Sequence, residues 1–381
     1  MVERKNNPYI LYAAIATVAI LLLAGAVIVY DNNAGKTTAS NTSQTRQITD
    51  MVGRTLAVPS SVDRVASTSP PVTNLVYMLD PDKLIGWNSA TNTTMYMPDK
   101  YKNLPVIGGW FGTFTGNYET FISMNPDLVF EAYAANGMNM QGTDANSSIA
   151  VRQKNMGSIP VVGISDSTDA TKYTPEIRYV GDLLGGEART NADKMIEFYT
   201  DALNKVNNTT TTIPNGEKKR VYYAEGPKGL QTEPKGSAHA QLIDVCGGDN
   251  VCNLPITLGN GMGMTAVSME QVIQWNPDVI ICADPTFYAS VYNDSLWQNI
   301  PAVKNKQVYM VPKAPESWMD RPPGVNQIIG IPWMAKVLYP EKFKDIDMKS
   351  MTKEFYTDFY HYNLTDDETT KILASSGLKD F

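Results

Sequence analysis

The sequence contains nearly the same phrase twice, MNPDLVF at residues 124–130 and WNPDVII at residues 275–281. The similarity extends to YETFISMNPDLVFEA and MEQVIQWNPDVIICA, an alignment that places Glu119 opposite Glu270. In each copy a short helix should end before Asn-Pro, because proline disfavours the helical conformation of the residue before it. An apolar run follows, as in a strand buried on both faces. We interpret the Asn-Pro-Asp residues as structural, and the repeat predicts two similar α/β units in one chain.

The remaining segments can be arranged around these two units. The chain has 381 residues, which favours two domains. Between the units, apolar residues keep helical spacing from 174 to 208, which predicts a helix of about thirty residues, bent at Gly185 and Gly186. The predicted fold is therefore α/β, with two similar Rossmann-like lobes joined by one long α-helix and preceded by an N-terminal transmembrane helix. The predicted segments are a cytoplasmic N-terminus at 1–8, a transmembrane anchor at 9–30, a disordered stalk at 31–50, an N-terminal α/β lobe at 51–170, a connecting long helix at 171–208, a C-terminal α/β lobe at 216–340 and a helical C-terminal extension at 341–381.

The N-terminal segment is typical of a membrane helix. Residues 9–30 carry no charge and are long enough to cross a hydrocarbon core of about 30 Å. Because Arg4 and Lys5 precede this stretch, the positive-inside rule places the body on the extracytoplasmic side of the cell membrane, held by a single span. A cleaved signal peptide is the alternative interpretation. The stretch after it is rich in Asn, Thr and Ser, which is typical of a disordered stalk.

Charge and cysteine content restrict the environment and the partners. The formal net charge of -7 argues against nucleic acid as a partner. Cys246 and Cys252 could form a disulfide in an oxidising compartment. Alternatively, Cys246 is a small core residue at a helix end.

Two further motifs, together with the membrane tether, the two lobes, the long helix and the repeated glutamates, support a resemblance to a known family. IDVCGGDNV at 243–251 and SWMDRPPGVNQ at 317–327 are similar to characteristic stretches of the substrate-binding proteins of ABC importers for iron-siderophore, haem and vitamin B12. The resemblance implies a monomer without a cofactor that binds a metal chelate between its lobes. It also implies that Glu119 and Glu270 dock the protein onto a permease dimer that carries ATPase subunits.

Loops after the predicted strands supply the candidate ligand-binding residues, because ligands bind at the carboxyl ends of strands in such sheets. Aromatic side chains there suit a flat, bulky ligand, and an arginine on a Pro-Pro loop could hold a carboxylate or catecholate oxygen. Simple packing is the alternative for each aromatic residue, and an ion pair with Asp320 is the alternative for the arginine. The predicted ligand-binding residues are Trp110, Tyr133, Tyr223, Met264, Trp318 and Arg321.

Other classes of function fit the sequence less well. A site for a bare metal ion needs several converging ligands, yet the chain has two histidines. We also find no nucleophile with a base beside it, so the sequence does not predict an enzyme. The prediction is thus an extracytoplasmic binding protein that delivers a siderophore, haem or corrinoid chelate to an ABC permease. An anchored scaffold protein and a binder of a small nickel or other metal chelate are the alternatives.

Overall fold

The computed structural model describes the chain from residue 44 onward, with short gaps. The described residues are 44–90, 95–111, 114–133, 145–165, 168–256 and 264–381. The predicted cytoplasmic N-terminus, the transmembrane helix and the stalk up to residue 43 lie outside them. Within the described ranges, the structure contains no helix of sufficient length and hydrophobicity to cross a bilayer.

The described chain alternates strands and helices along most of its length. The strands are β1 (Thr45–Thr49), β2 (Thr55–Pro59), β3 (Val65–Ser67), β4 (Leu128–Ala132), β5 (Val161–Ile164), β6 (Arg220–Ala224), β7 (Gln231–Thr232), β8 (Asp249–Asn250), β9 (Thr265–Ala266), β10 (Val279–Cys282) and β11 (Val308–Met310). The helices are α1 (Pro70–Leu79), α2 (Asp99–Lys102), α3 (Tyr118–Ser123), α4 (Ala145–Met156), α5 (Tyr173–Leu184), α6 (Gly186–Thr210), α7 (Gln241–Val245), α8 (Met269–Trp275), α9 (Pro285–Ser290), α10 (Pro301–Lys304), α11 (Gly330–Leu338), α12 (Met348–Phe359) and α13 (Asp366–Ser375).

Each lobe is built on a parallel sheet. The N-terminal sheet has the order β3-β4-β5, and the C-terminal sheet has the order β11-β10-β6-β8. All of these pairs are parallel. Such pairs require crossover connections, and helices supply most of them here. The predicted α/β class is confirmed.

The Asn-Pro-Asp repeats form the same joint in both lobes. Asn125 and Asn276 adopt left-handed backbone angles, with φ of 48° and 44°. Asparagine tolerates this conformation better than most residues. A carboxylate oxygen of Asp127 accepts a hydrogen bond from the backbone N of Arg64 (2.9 Å), and Asp278 accepts one from the backbone N of Arg220 (3.0 Å). In both lobes the repeat therefore ties the short helix and its strand to the start of the neighbouring strand.

The predicted stalk at 31–50 ends earlier than expected, because residues 45–49 form strand β1. This strand pairs antiparallel with β2, and Ile48 packs against the main core. Asp50 is buried, forms an ion pair with Arg54 (2.6 Å) and accepts a hydrogen bond from the backbone N of Gly163 (3.0 Å). The N-terminal lobe thus begins at Thr45, not at residue 51.

The connecting segment is a pair of helices and not one long helix. Helix α5 ends at Gly185, where φ is 68°, and α6 starts at once in a new direction. Glycine adopts this backbone angle without the steric cost of a side chain. Ion pairs join Arg178 to Asp193 and Arg189 to Asp182 across the two helices, so α5 and α6 fold back on each other. Helix α6 alone, with 25 residues, is the long helix of the fold.

Gly181 lies where these two helices approach most closely. A Cβ atom at this position would lie 2.4 Å from the Cβ of Ala192. We expect Gly181→Ala to lower the free energy of unfolding by about 1–3 kcal/mol, since the helices must separate to admit the methyl group. Urea unfolding measures the change. The matched control is Gly216→Ala, whose Cβ has no described atom within 4 Å and which should shift stability by less than about 0.5 kcal/mol. Equal midpoints for both variants would contradict the close helix contact.

One apolar core is shared by both lobes and by the C-terminal extension. It contains Leu75 of α1, Met195 of α6, Leu242 of α7, Trp333 of α11 and Phe355 of α12. Smaller cores cover the opposite faces of the two sheets. Residues 45–381 accordingly form one compact unit.

The C-terminal extension contacts both lobes. On the N-terminal lobe, Tyr77 donates its hydroxyl hydrogen to the carbonyl of Tyr360 (2.7 Å). On the C-terminal lobe, the backbone N of Met310 donates to the carbonyl of Ser376 (2.9 Å), and the indole N of Trp333 donates to the Ser376 hydroxyl (3.2 Å). The extension is therefore an integral part of the fold that connects the two lobes.

The predicted disulfide between Cys246 and Cys252 is wrong. Both cysteines are buried free thiols. The sulfur of Cys246 lies in the shared core and donates to the carbonyl of Ile331 (3.3 Å). Burial raises the pKa of both thiols above the ordinary value. Cys246 is thus a core residue, which was the alternative interpretation.

Candidate functional site

Segments that follow strands of the two sheets contact each other. Gln241, at the start of α7 in the C-terminal lobe, donates to the carbonyl of Thr168 (2.6 Å), which follows β5 of the N-terminal lobe. The hydroxyl of Tyr173 donates to the side-chain oxygen of Gln327 (2.6 Å), in the loop region after β11. These contacts join segments that follow the strands of both lobes, which places the expected ligand region beside them.

The N-terminal lobe presents an arginine held between a carboxylate and two aromatic rings. Glu131, on the carboxyl-terminal part of β4, accepts hydrogen bonds from the Nε of Arg152 at 3.2 and 3.3 Å. Arg152 also donates to the hydroxyl of Tyr118 (2.7 Å), and its guanidinium lies 4.2 Å from the ring centre of Trp110. The rings of Trp110 and Tyr118 stack at 4.6 Å. The ion pair with Glu131 and the cation–π contact with Trp110 hold the guanidinium of Arg152 near the end of β4. We call these four residues the N-lobe cluster.

The C-terminal lobe presents a second arginine, surrounded by acidic groups. Arg321 donates to one carboxylate oxygen of Glu225 from Nη2 (2.7 Å) and from Nε (3.1 Å). Its Nη2 also lies 2.8 Å from Glu233, and its Nε lies 3.3 Å from Asp320. His239 contacts the other oxygen of Asp320. These five residues form the C-lobe cluster, in which three carboxylates outnumber the one permanent positive charge.

The surroundings shift the pKa of two groups in this cluster, Glu225 and His239. The side chains of Glu225, Glu233 and Asp320 are at most 2% exposed. Burial raises the pKa of Glu225 to about 7, although the charge of Arg321 opposes the rise. Burial also lowers the pKa of His239, but the hydrogen bond and charge of Asp320 outweigh it and hold that pKa above the ordinary value. The C-lobe cluster can therefore gain or lose a proton near neutral pH.

The predicted ligand-binding residues divide into two groups. Three of the aromatic residues are core residues: Tyr133 and Trp318 are fully buried, and Tyr223 is 2% exposed. Trp318 packs against Trp333 and Tyr356, whose rings cover its own. Tyr133, Tyr223 and Trp318 do not form the predicted open aromatic surface, because the C-terminal extension and the lobe cores cover them.

The other predicted residues, Trp110, Met264 and Arg321, lie in or next to the two clusters, and the buried Tyr223 contacts the second of these. Trp110 is half-buried in the N-lobe cluster. In the C-terminal lobe, the backbone N of Met264 donates to Glu233 (2.8 Å), and the hydroxyl of Tyr223 donates to Asp320 (3.4 Å). Arg321 is thus brought together with Met264 and Tyr223. Its predicted alternative, an ion pair with Asp320, is present as well, and its contact with a ligand stays a prediction.

Sequence reasoning missed Glu131, Arg152, Glu225 and Glu233. A signal for two of them was present. Glu131 stands inside the apolar run LVFEA, and Glu225 directly follows the apolar strand β6. An acidic residue at such a buried position needs a partner, because an isolated charge is costly to remove from water. The identity of the partner, Arg152 or Arg321, depends on the fold and has no sequence signal.

The two predicted docking glutamates occupy equivalent positions. Glu119 lies in the first turn of α3, and Glu270 lies in the first turn of α8. Both side chains are exposed. Their equivalence is shown by the geometry of the repeat, whereas their role in docking stays a prediction.

The fold and the sequence agree with one family. A model of the periplasmic binding protein family matches residues 65–315. The chain belongs to this family. The resemblance inferred from the repeats is therefore confirmed at the level of the family. The homologues of this chain are solute-binding proteins, which are not enzymes.

Individual members of the periplasmic binding protein family are similar over most of the chain. A solved ABC transporter solute-binding protein from Sulfurospirillum deleyianum has 29% sequence identity and a TM-score of 0.78, covering 86% of this chain and 99% of that one. The molybdate-binding protein MolA of Haemophilus influenzae is 25% identical over 86% of this chain and 94% of its own length. A vitamin B12-binding protein of Salmonella choleraesuis is 25% identical over 58% of this chain and 72% of its own length.

Proposed function

We propose that this chain is the solute-binding component of an ABC importer, which captures a small ligand between its lobes and passes it to a permease dimer with ATPase subunits. The proposal is supported by the likeness to the Sulfurospirillum solute-binding protein over nearly the whole of that chain. The function consists of binding without chemistry. Tethering of the body to the outer side of the membrane by residues 9–30 belongs to the same proposal, since a tether raises the effective concentration near the permease.

The ligand in this proposal is a compact, metal-containing species, smaller than haem or a corrinoid. The observation that carries this choice is the burial of Tyr133, Tyr223 and Trp318, which leaves these rings unable to stack on a large flat ligand. In their place the strand ends offer the guanidinium groups of Arg152 and Arg321 next to carboxylates. The guanidinium of Arg152, which faces the single carboxylate of Glu131, suits the oxygen atoms of an oxyanion or a small metal chelate better than Arg321, which three carboxylates surround. The similarity to a molybdate-binding protein over 86% of this chain points the same way.

Calorimetric titration of the purified full-length chain tests this proposal. The panel contains molybdate, tungstate, a nickel–histidine complex, a ferric siderophore, haem and cobalamin. We expect saturable binding of one of the three compact species, and Trp110→Ala should weaken it at least about tenfold by releasing Arg152 from the N-lobe cluster. Phe114→Ala, an exposed aromatic residue outside the cluster, is the control.

The possible results separate the parts of the proposal. Tight binding of haem, cobalamin or the siderophore would refute the compact ligand and restore the large chelate. Equal affinity of Trp110→Ala and the original protein would remove the N-lobe cluster from the site. Binding of no member of the panel would count against the transport function itself.

A further inference from the structure

The two repeats match in solvent exposure as well as in sequence. Over residues 118–127 and 269–278, each of the ten aligned positions has the same burial class, from buried to exposed. The buried positions include Phe121 and Val272. The match at every position means that both lobes expose and bury equivalent positions at this point.

Each of these surfaces exposes an isoleucine. Ile122 is 44% exposed and Ile273 is 53% exposed. Each follows a glutamate by three residues, Glu119 in one lobe and Glu270 in the other, and residues at this spacing lie on the same face of a helix. An isolated exposed apolar residue needs no explanation. An exposed isoleucine at the same position in both lobes does need an explanation. The neighbouring aligned positions carry different residues, as with Tyr118 and Met269, so the isoleucine is not retained simply because the whole segment is identical.

The backbone holds both isoleucines in place. Asn117 caps the start of α3, and Ser268 caps the start of α8. At the other end, Arg64 donates to the carbonyl of Met124 (2.5 Å), and Arg220 donates to the carbonyl of Trp275. A surface fixed at both ends loses little entropy when it binds, which favours its use as a contact site.

We propose that each lobe docks through a Glu–Ile pair, Glu119 with Ile122 and Glu270 with Ile273, onto one subunit of the permease. The partner surface on each subunit is a basic group with an apolar pocket about one helical turn away. Because the two pairs are equivalent, the partner is a dimer with its own two-fold symmetry. This inference rests on the proposed transport function and adds an apolar contact to the charged one.

The size of the effect follows from the buried area. Burial of an isoleucine side chain is favourable in proportion to the apolar area that leaves water, and the partner buries only the exposed part of each one. We therefore expect Ile122→Ser and Ile273→Ser each to weaken docking about tenfold, and the double variant about 100-fold. Since no charge changes, the dependence of docking on salt should stay the same, whereas variants of Glu119 or Glu270 should reduce it.

Docking is measured by biolayer interferometry with the full-length chain and its cognate permease, held in nanodiscs with the ATPase subunits. Leu296→Ser is the control, because Leu296 is 61% exposed and lies outside both repeats. Thermal unfolding verifies that all the variants fold. The inference is supported if only the isoleucine variants lose affinity and their salt slope is unchanged.

Two results would overturn the proposal that each lobe docks through a Glu–Ile pair. If the original chain docks and the double isoleucine variant docks within about twofold of Leu296→Ser, the apolar contact is absent while the transport function stands. If the original chain does not bind the permease, the proposed function fails and the inference fails with it.

Discussion

Replacing both Glu119 and Glu270 with arginine should abolish uptake and leave ligand affinity unchanged. Both side chains are exposed on equivalent helices, outside the N-lobe and C-lobe clusters. If each faces a basic group of the permease, reversal turns two attractive contacts into repulsive ones, which costs several kcal/mol. Uptake into proteoliposomes should fall at least about 100-fold, while calorimetry should give the same ligand affinity.

The control for this experiment reverses the charge of two glutamates that lie outside the repeats. Glu217 and Glu341 are exposed, and replacing both with arginine changes the net charge by the same amount. This variant should transport normally. A docking variant that transports at the original rate, or that loses its ligand, would show that Glu119 and Glu270 do not have the predicted role.

Arg321→Met should destabilise the protein by about 3–5 kcal/mol at pH 8. The substitution leaves the carboxylates of Glu225, Glu233 and Asp320 buried without the guanidinium that faces them. The matched control is Arg178→Met, which removes an exposed ion pair with Asp193 and should cost less than about 1 kcal/mol. Urea unfolding at pH 5 and pH 8 measures both variants.

The pH dependence has a definite sign. Burial raises the pKa of Glu225 to about 7, above its value of about 4.5 in the unfolded chain, so the folded state binds a proton that the unfolded state releases. This contribution to stability is present below pH 4.5 and is lost as the pH rises through 7. Loss of Arg321 removes a charge that lowers this pKa, so the variant should deviate more from the original protein at pH 8 than at pH 5. Equal stability of the two proteins at pH 8 would contradict the charged network.

The lobes could be predicted from the sequence because their signals are local. The Asn-Pro-Asp turn and the apolar run after it lie within a few residues, and the structure forms the same joint at Asp127 and Asp278. The break at Gly185 was also visible, but periodicity does not show in which direction the next helix runs. Tertiary contacts between the two helices, such as that of Gly181 with Ala192, show the direction.

The site was harder to predict because its accessibility depends on distant segments. Trp318 follows a strand of the sheet and was expected to face the ligand. Its indole N instead donates to the hydroxyl of Tyr356 (3.3 Å), a residue of the C-terminal extension. No local pattern near Trp318 indicates that α12 covers it. The polar clusters depend in the same way on side chains from separate segments, as with Glu131 and Arg152.

The position of the C-terminal extension sets the order in which the parts of this chain can fold. Tyr77, in the first helix of the N-terminal lobe, is hydrogen-bonded to Tyr360, which is 283 residues further along. Contacts between such distant residues form slowly, and partly folded chains expose apolar surface in the meantime. The first lobe therefore cannot complete its core until the C-terminal extension has packed against it. A chain of this design keeps part of the apolar surface of its N-terminal half exposed until its C-terminal end has folded against it.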